Sequence, residues 1–140
     1  MKVLSPPTTK DKTKMKSTEL RSGNLVNMGE YLYQPLNAYN IYQLSLLEKG
    51  GTVADFYHKI TPIELTEDWL KRLGCIEQRI NSTKKNYWNK EKDFSVDVEF
   101  SFSGNLYYYN VSKDRRKPLI HVHKLQNLHY ELKDEELKIK

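Results

Sequence analysis

Phe94-Ser95-Val96-Asp97-Val98-Glu99-Phe100-Ser101-Phe102 decides the fold, because its apolar and polar residues alternate without a break. A period of two puts the Phe and Val side chains on one face of a strand and Ser95, Asp97, Glu99 and Ser101 on the other. Ser103-Gly104-Asn105 follows with residues that accept positive φ, and Leu106-Tyr107-Tyr108-Tyr109-Asn110-Val111 supplies an aromatic and β-branched return strand. Residues 94–111 therefore read as a central antiparallel hairpin. Two strands alone are marginal in water, so the phenylalanine face predicts a cover drawn from elsewhere in the chain.

On the C-terminal side, Ser112-Lys113-Asp114-Arg115-Arg116-Lys117 reads as a basic turn and Pro118-Leu119-Ile120 as an extended segment. Val122, Leu125, Leu128 or His129, and Leu132 recur at spacings of three and four, which predicts a helix over 122–133 as that cover. Leu137 and Ile139 alternate with lysines as a short terminal strand. On the N-terminal side, residues 76–93 are polar and lysine-rich around Tyr87-Trp88 and read as a loop or short irregular strand. Before them Thr66 offers a cap, Glu67 and Asp68 suit the positive end of a helix, and Gly74 stops it. A helix over 66–73 is barely two turns, so Trp69 must be buried to hold it. Further upstream Leu25-Val26 and Tyr31-Leu32-Tyr33 read as paired strands about Asn27-Met28-Gly29-Glu30. Residues 39–48 fit both periods and are read as a strand, with Gly50-Gly51 turning into another strand over 52–57. The expected fold is α+β: a single antiparallel sheet of five or more strands carrying two short helices.

At 140 residues the chain has room for one core. Hydrophobic residues make up 38% of it, a low share that leaves part of the chain outside that core. Residues 1–19, with Pro6-Pro7 and five lysines, are the expected disordered basic tail, and 20–140 the single domain. No apolar run suits a signal peptide or a membrane span, and the single cysteine, Cys75, permits no internal disulfide, so a cytoplasmic protein is expected. The net charge of +5 is unevenly laid out. Residues 71–92 carry seven basic side chains against two acidic, whereas 93–111 carry three acidic and no basic ones.

No constellation declares a chemistry. His121 and His123 share a strand face but lack a third metal ligand, and Asp97 and Glu99 on the wet face have no partner base or nucleophile. No cofactor, no metal and no catalysis are expected. Lys84, Lys85, Tyr87, Trp88 and Lys90 set two rings among three lysines, the mixture that contacts phosphates and stacks on bases of a single strand. Arg115, Arg116 and Lys117 would add a second phosphate patch. The competing reading makes both patches solvated loops, with Tyr87 and Trp88 turned into the core.

Three motifs add a resemblance. Leu20-x-x-Gly23-Asn24-Leu25-Val26, Pro62-Ile63-x-Leu65-Thr66-Glu67-x-Trp69-Leu70-x-x-Leu73-Gly74 and His121-Val122-His123-x-Leu125-Gln126-Asn127-Leu128-x-Tyr130-x-Leu132-x-x-Glu135-Glu136-Leu137 resemble a group of small uncharacterised proteins from phages and prophages of Bacteroidetes-type bacteria. The resemblance covers about residues 20–140; members usually begin near Met15, an alternative start here. It implies a compact α+β domain in the cytoplasm of a bacterial host and carries over no catalytic residue. By analogy with anti-CRISPR proteins, the implied role is a non-enzymatic phage-type accessory protein that binds and inhibits a host defence nucleoprotein, such as an RNA-guided CRISPR nuclease or its guide RNA. Its partner would be a host defence protein or ribonucleoprotein, with RNA at the basic loops and no membrane. The alternative is a stand-alone single-stranded nucleic-acid-binding protein of phage replication or transcription.

Overall fold

The computed structural model of the chain describes residues 15–101, 104–112 and 115–139, and of residues 101, 106, 109–112 and 115–117 the backbone alone. The chain divides into two compact units, Met1–Ile63 and Glu64–Lys140. Each contains an antiparallel sheet and at least one helix, so the class is α+β. The expected single sheet is in fact two, of three and five strands.

In the first unit β1 (Leu25–Met28) lies between β2 (Tyr31–Pro35) and β3 (Ile60–Pro62). The β1–β2 turn needs Gly29, whose φ is +61°. Helix α1 (Ala38–Glu48) stands where a strand was expected. Its ends explain why. Asn37 and Asn40 form a reciprocal capping box, with Asn40 N–H donating to Asn37 Oδ1 at 2.8 Å and Asn37 N–H to Asn40 Oδ1 at 3.0 Å. Leu36 before the cap and Ile41 in the first turn both pack on the core, a hydrophobic staple. At the other end Gly50 N–H donates to the Leu47 carbonyl and Gly51 N–H to the Leu46 carbonyl, a Schellman closure and not a hairpin turn. The strand expected over 52–57 is likewise absent: a 3₁₀ turn, Asp55–Lys59, feeds β3. The core gathers Val26, Leu36, Leu44, Tyr57 and Ile60. Met15 packs against it, and Ser17 N–H donates to Glu48 Oε2 at 2.9 Å, which fastens residues 15–19 to this unit although they read as tail. The rest of that tail lies outside the described residues.

In the second unit α2 (Glu67–Arg72) is capped by Thr66 and closed at Gly74, as its sequence implies. The five-stranded sheet runs in order β4 (Ile76–Arg79), β5 (Lys84–Trp88), β6 (Ser95–Ser101), β7 (Gly104–Ser112) and β8 (Arg115–Pro118), every neighbour antiparallel. The central hairpin is β6–β7. Two regular strands, β4 and β5, replace the loop or short irregular strand expected over 76–93, and β8 takes residues 115–117 of the expected basic turn. Phe94, Val96 and Val98 of the apolar face are buried, and helix α3 (Val122–Lys133) meets that face at Phe94, just before β6, with the His129 ring edge-on at 4.9 Å. Phe100 is half-buried, and Phe102 lies outside the described residues. Leu137 and Ile139 form no strand. Their segment is instead held by α3, since Gln126 Nε2 donates to the Leu137 carbonyl at 3.1 Å and His129 Nδ1 to the Glu135 carbonyl at 2.8 Å. Among the described residues no helix is long and apolar enough to cross a membrane.

Candidate partner-binding surface

Strand β5 carries the basic and aromatic residues that the sequence singles out, and its alternation splits them. Lys85 and Tyr87 pair with Val98 and Val96 on the apolar face, while Lys84 and Trp88 pair with Glu99 and Ser95 on the opposite face. Tyr87 is fully buried. Its hydroxyl donates to Glu67 Oε1 at 2.7 Å and also lies 3.2 Å from Glu77 Oε1. Lys85 Nζ reaches the same carboxylates at 3.0 and 3.5 Å, and Asn105 Nδ2 donates to Glu67 Oε2 at 3.1 Å. Glu67 thus ties α2 to β5 and β7. The ring of Tyr87 offers no face to a base, and Lys85, with its side chain largely covered, has its charge matched from within.

The electrostatics agree with a structural cross-link. Burial and the two neighbouring carboxylates push the Tyr87 phenol far above its ordinary value, so it keeps its proton and is no nucleophile. Burial raises the Glu67 carboxyl, but the hydrogen bonds from Tyr87 and Lys85 and the charges of Lys85 and Lys71 outweigh it and leave the group below the usual range. Cys75 is pushed up to about 11 by burial, which leaves the thiol unreactive.

On the opposite face Lys84 pairs with Glu99 at 3.5 Å, and half-buried Trp88 donates its Nε1–H to Gln78 Oε1 at 2.9 Å. Asn86 donates to Asp97, which is buried and not wet as the alternation suggests. Lys90 is exposed beyond the strand end. The backbones of Arg115, Arg116 and Lys117 lie in β8, three strands away from β5 across the sheet; their side chains lie outside the described residues. His121 and His123 stack with ring centroids 5.6 Å apart at the start of α3, and His123 is fully buried. Among the described residues no group of three or more His, Cys, Asp or Glu is arranged to hold a metal ion.

The surface that sequence reading missed is in the first unit. Tyr39 and Tyr42, one turn apart on α1, are 65% and 58% exposed, and Tyr31 at the tip of the β1–β2 hairpin is 66% exposed. Leu32 and Phe56 are exposed as well. A helix that points Leu44 into the core and two tyrosine rings into water is apolar on more than one side. Its capping Asn37 was the available signal. Compared with protein-family models, with curated proteins and with solved structures, the chain matches none of them.

Proposed function

We propose that the chain is a non-enzymatic phage-type accessory protein that binds and inhibits a host defence nucleoprotein, and that it docks on the protein of that complex through the first unit. The observation that carries the reading is the solvent-facing pair Tyr39 and Tyr42 on α1, with Tyr31 and Leu32 in the same unit. Tyrosine supplies a large, amphipathic contact area at low entropic cost, and aromatic residues are enriched at protein interfaces. Meanwhile the basic residues of β5 are matched by Glu67, Glu77 and Glu99, which weakens the case for a guide-RNA contact at that strand.

The test is expression of the full chain in a bacterium whose RNA-guided nuclease restricts phage, beside capture of the complex with and without ribonuclease. Expected results are lost restriction, ribonuclease-resistant capture of the nuclease, and failure of both with Tyr39→Ala and Tyr42→Ala combined at an unchanged melting temperature. Unaltered restriction with no nuclease recovered would overturn the proposal. Binding of naked RNA with a steep salt dependence, by contrast, would support the stand-alone nucleic-acid reading.

A further inference from the structure

Strand β4 is an open edge of the five-stranded sheet, and all four of its residues are exposed. Hydrogen-bond parity fixes which backbone groups point outward. Ile80 N–H donates to the Lys84 carbonyl at 3.1 Å, so the groups of Gln78 and Ile76 also face β5, and those of Glu77 and Arg79 face away from the sheet. Edge strands usually guard such groups with proline, a bulge or charged side chains. β4 has no proline, pairs with β5 in unbroken register, and carries one charge of each sign.

We propose that β4 pairs with β4 of a second copy of this chain, forming a two-fold symmetric dimer in which the sheet continues from one copy into the other. Outward groups at positions 77 and 79 allow an antiparallel pairing centred on Gln78. Glu77 then lies opposite Arg79 of the second copy, Arg79 opposite its Glu77, and Ile76 opposite its Ile80. The segment Ile76-Glu77-Gln78-Arg79-Ile80 is complementary to itself in charge and in apolarity. Opposite charges directly across a strand pair stabilise it and like charges oppose it. The two neighbouring registers of the same parity set Glu77 on Glu77 or Arg79 on Arg79, so charge selects the register. Such a contact uses the same patch on both partners, as two-fold dimers require.

The side chains are poised for it. Ile76 and Ile80 are 52% and 50% exposed, and a groove of about 530 Å³ lined by Ile76, Gln78 and Trp88 is open to receive Ile80 of the second copy. Arg79 makes a long 3.4 Å hydrogen bond to the Asn81 carbonyl, a weak hold on a guanidinium that would gain a carboxylate. Glu77 sits 35% exposed at the rim of the Tyr87 cluster, its carboxylate also 3.6 Å from Lys71 Nζ.

Sedimentation equilibrium of the full chain over a range of concentrations tests the inference. The expected result is a reversible monomer–dimer equilibrium. Arg79→Glu sets carboxylates against each other at both ends of the contact and should weaken the dimer by about tenfold or more while leaving the melting temperature of the dilute monomer unchanged. Glu77→Arg should act the same way, and mixing the two variants should restore a heterodimer, because every opposed pair is again of opposite sign. Glu77→Arg also takes an acceptor from Tyr87, so Ile80→Lys, at an exposed position, serves as a second disrupting variant. A monomer at every concentration up to the solubility limit would overturn the inference. So would a dimer indifferent to both Arg79→Glu and Ile80→Lys, or a monomer whose β4 edge takes up an extended segment of a different protein.

Discussion

Tyr87 is the residue on which the second unit closes, because its ring fills the apolar face of β5 while its hydroxyl is shared by two carboxylates. Tyr87→Phe keeps the ring and removes the donor, leaving Glu67 and Glu77 to repel across the gap. Urea unfolding should show a loss of about 1.5–3 kcal/mol, the range for a hydrogen bond to a charged group. The same cluster fixes the pH profile. Glu67 is lowered in the folded chain by the balance already described, and Asp93 is lowered chiefly by its hydrogen bond from Lys133. Both therefore contribute stability that is present above the unfolded carboxylate range and is lost as the pH falls below about 4. Tyr87 and Lys85 are raised, Tyr87 by burial first and Lys85 by its hydrogen bond to Glu67 first. Their contribution is present at neutral pH and lost above about pH 10. Melting temperature followed across pH should fall on both flanks, and Glu67→Gln should flatten the acid one. None of this was visible in Lys84-Lys85-Asn86-Tyr87-Trp88, because the acids that occupy Lys85 stand at positions 67 and 77, remote in sequence on one side and across a turn on the other.

At the scale of elements, what was legible depended on how cleanly one period beat the other. β6 alternates without exception and α3 carries apolar residues at spacings of three and four, so both elements were readable from sequence, although α3 buries Val122, His123, Leu125, Gln126 and His129 and leaves Leu132 exposed. α1 contains Tyr39, Ile41, Tyr42, Leu44, Leu46 and Leu47, apolar on both faces at either period, and only its caps decide in favour of a helix. Asn37→Ala removes the side chain that accepts from Asn40 N–H, and should cost about 0.5–2 kcal/mol in thermal or chemical unfolding. A loss near zero would mean that the Leu36–Ile41 staple alone fixes the start of the helix. β4 and β5 escaped notice for the reverse reason. Their polar residues lie on both faces, so no apolar alternation marks them, and Ile76–Arg79 is held by its ladder with β5 and by the contacts of Glu77 with Tyr87 and Lys85.

For the whole molecule, the patchwork of charge acquires a physical sense. The basic stretch 71–92 and the acidic stretch 93–111 are adjacent in sequence because β5 and β6 are adjacent in the sheet, and Lys84 with Glu99 is the register in which their charges meet. The two units divide the aromatic residues just as unevenly. Tyrosines occur in both, but Trp69 and Trp88 both belong to the second unit. Tryptophan emission is therefore a spectroscopic window on that unit alone, whereas far-ultraviolet circular dichroism sums the backbone of both. If the two units unfold as one cooperative body, the curves from these probes superimpose during a urea titration. Should they separate, the interval between their midpoints measures the difference in stability between a unit built around α1 and one locked by Tyr87, with no labelling and no alteration of the chain.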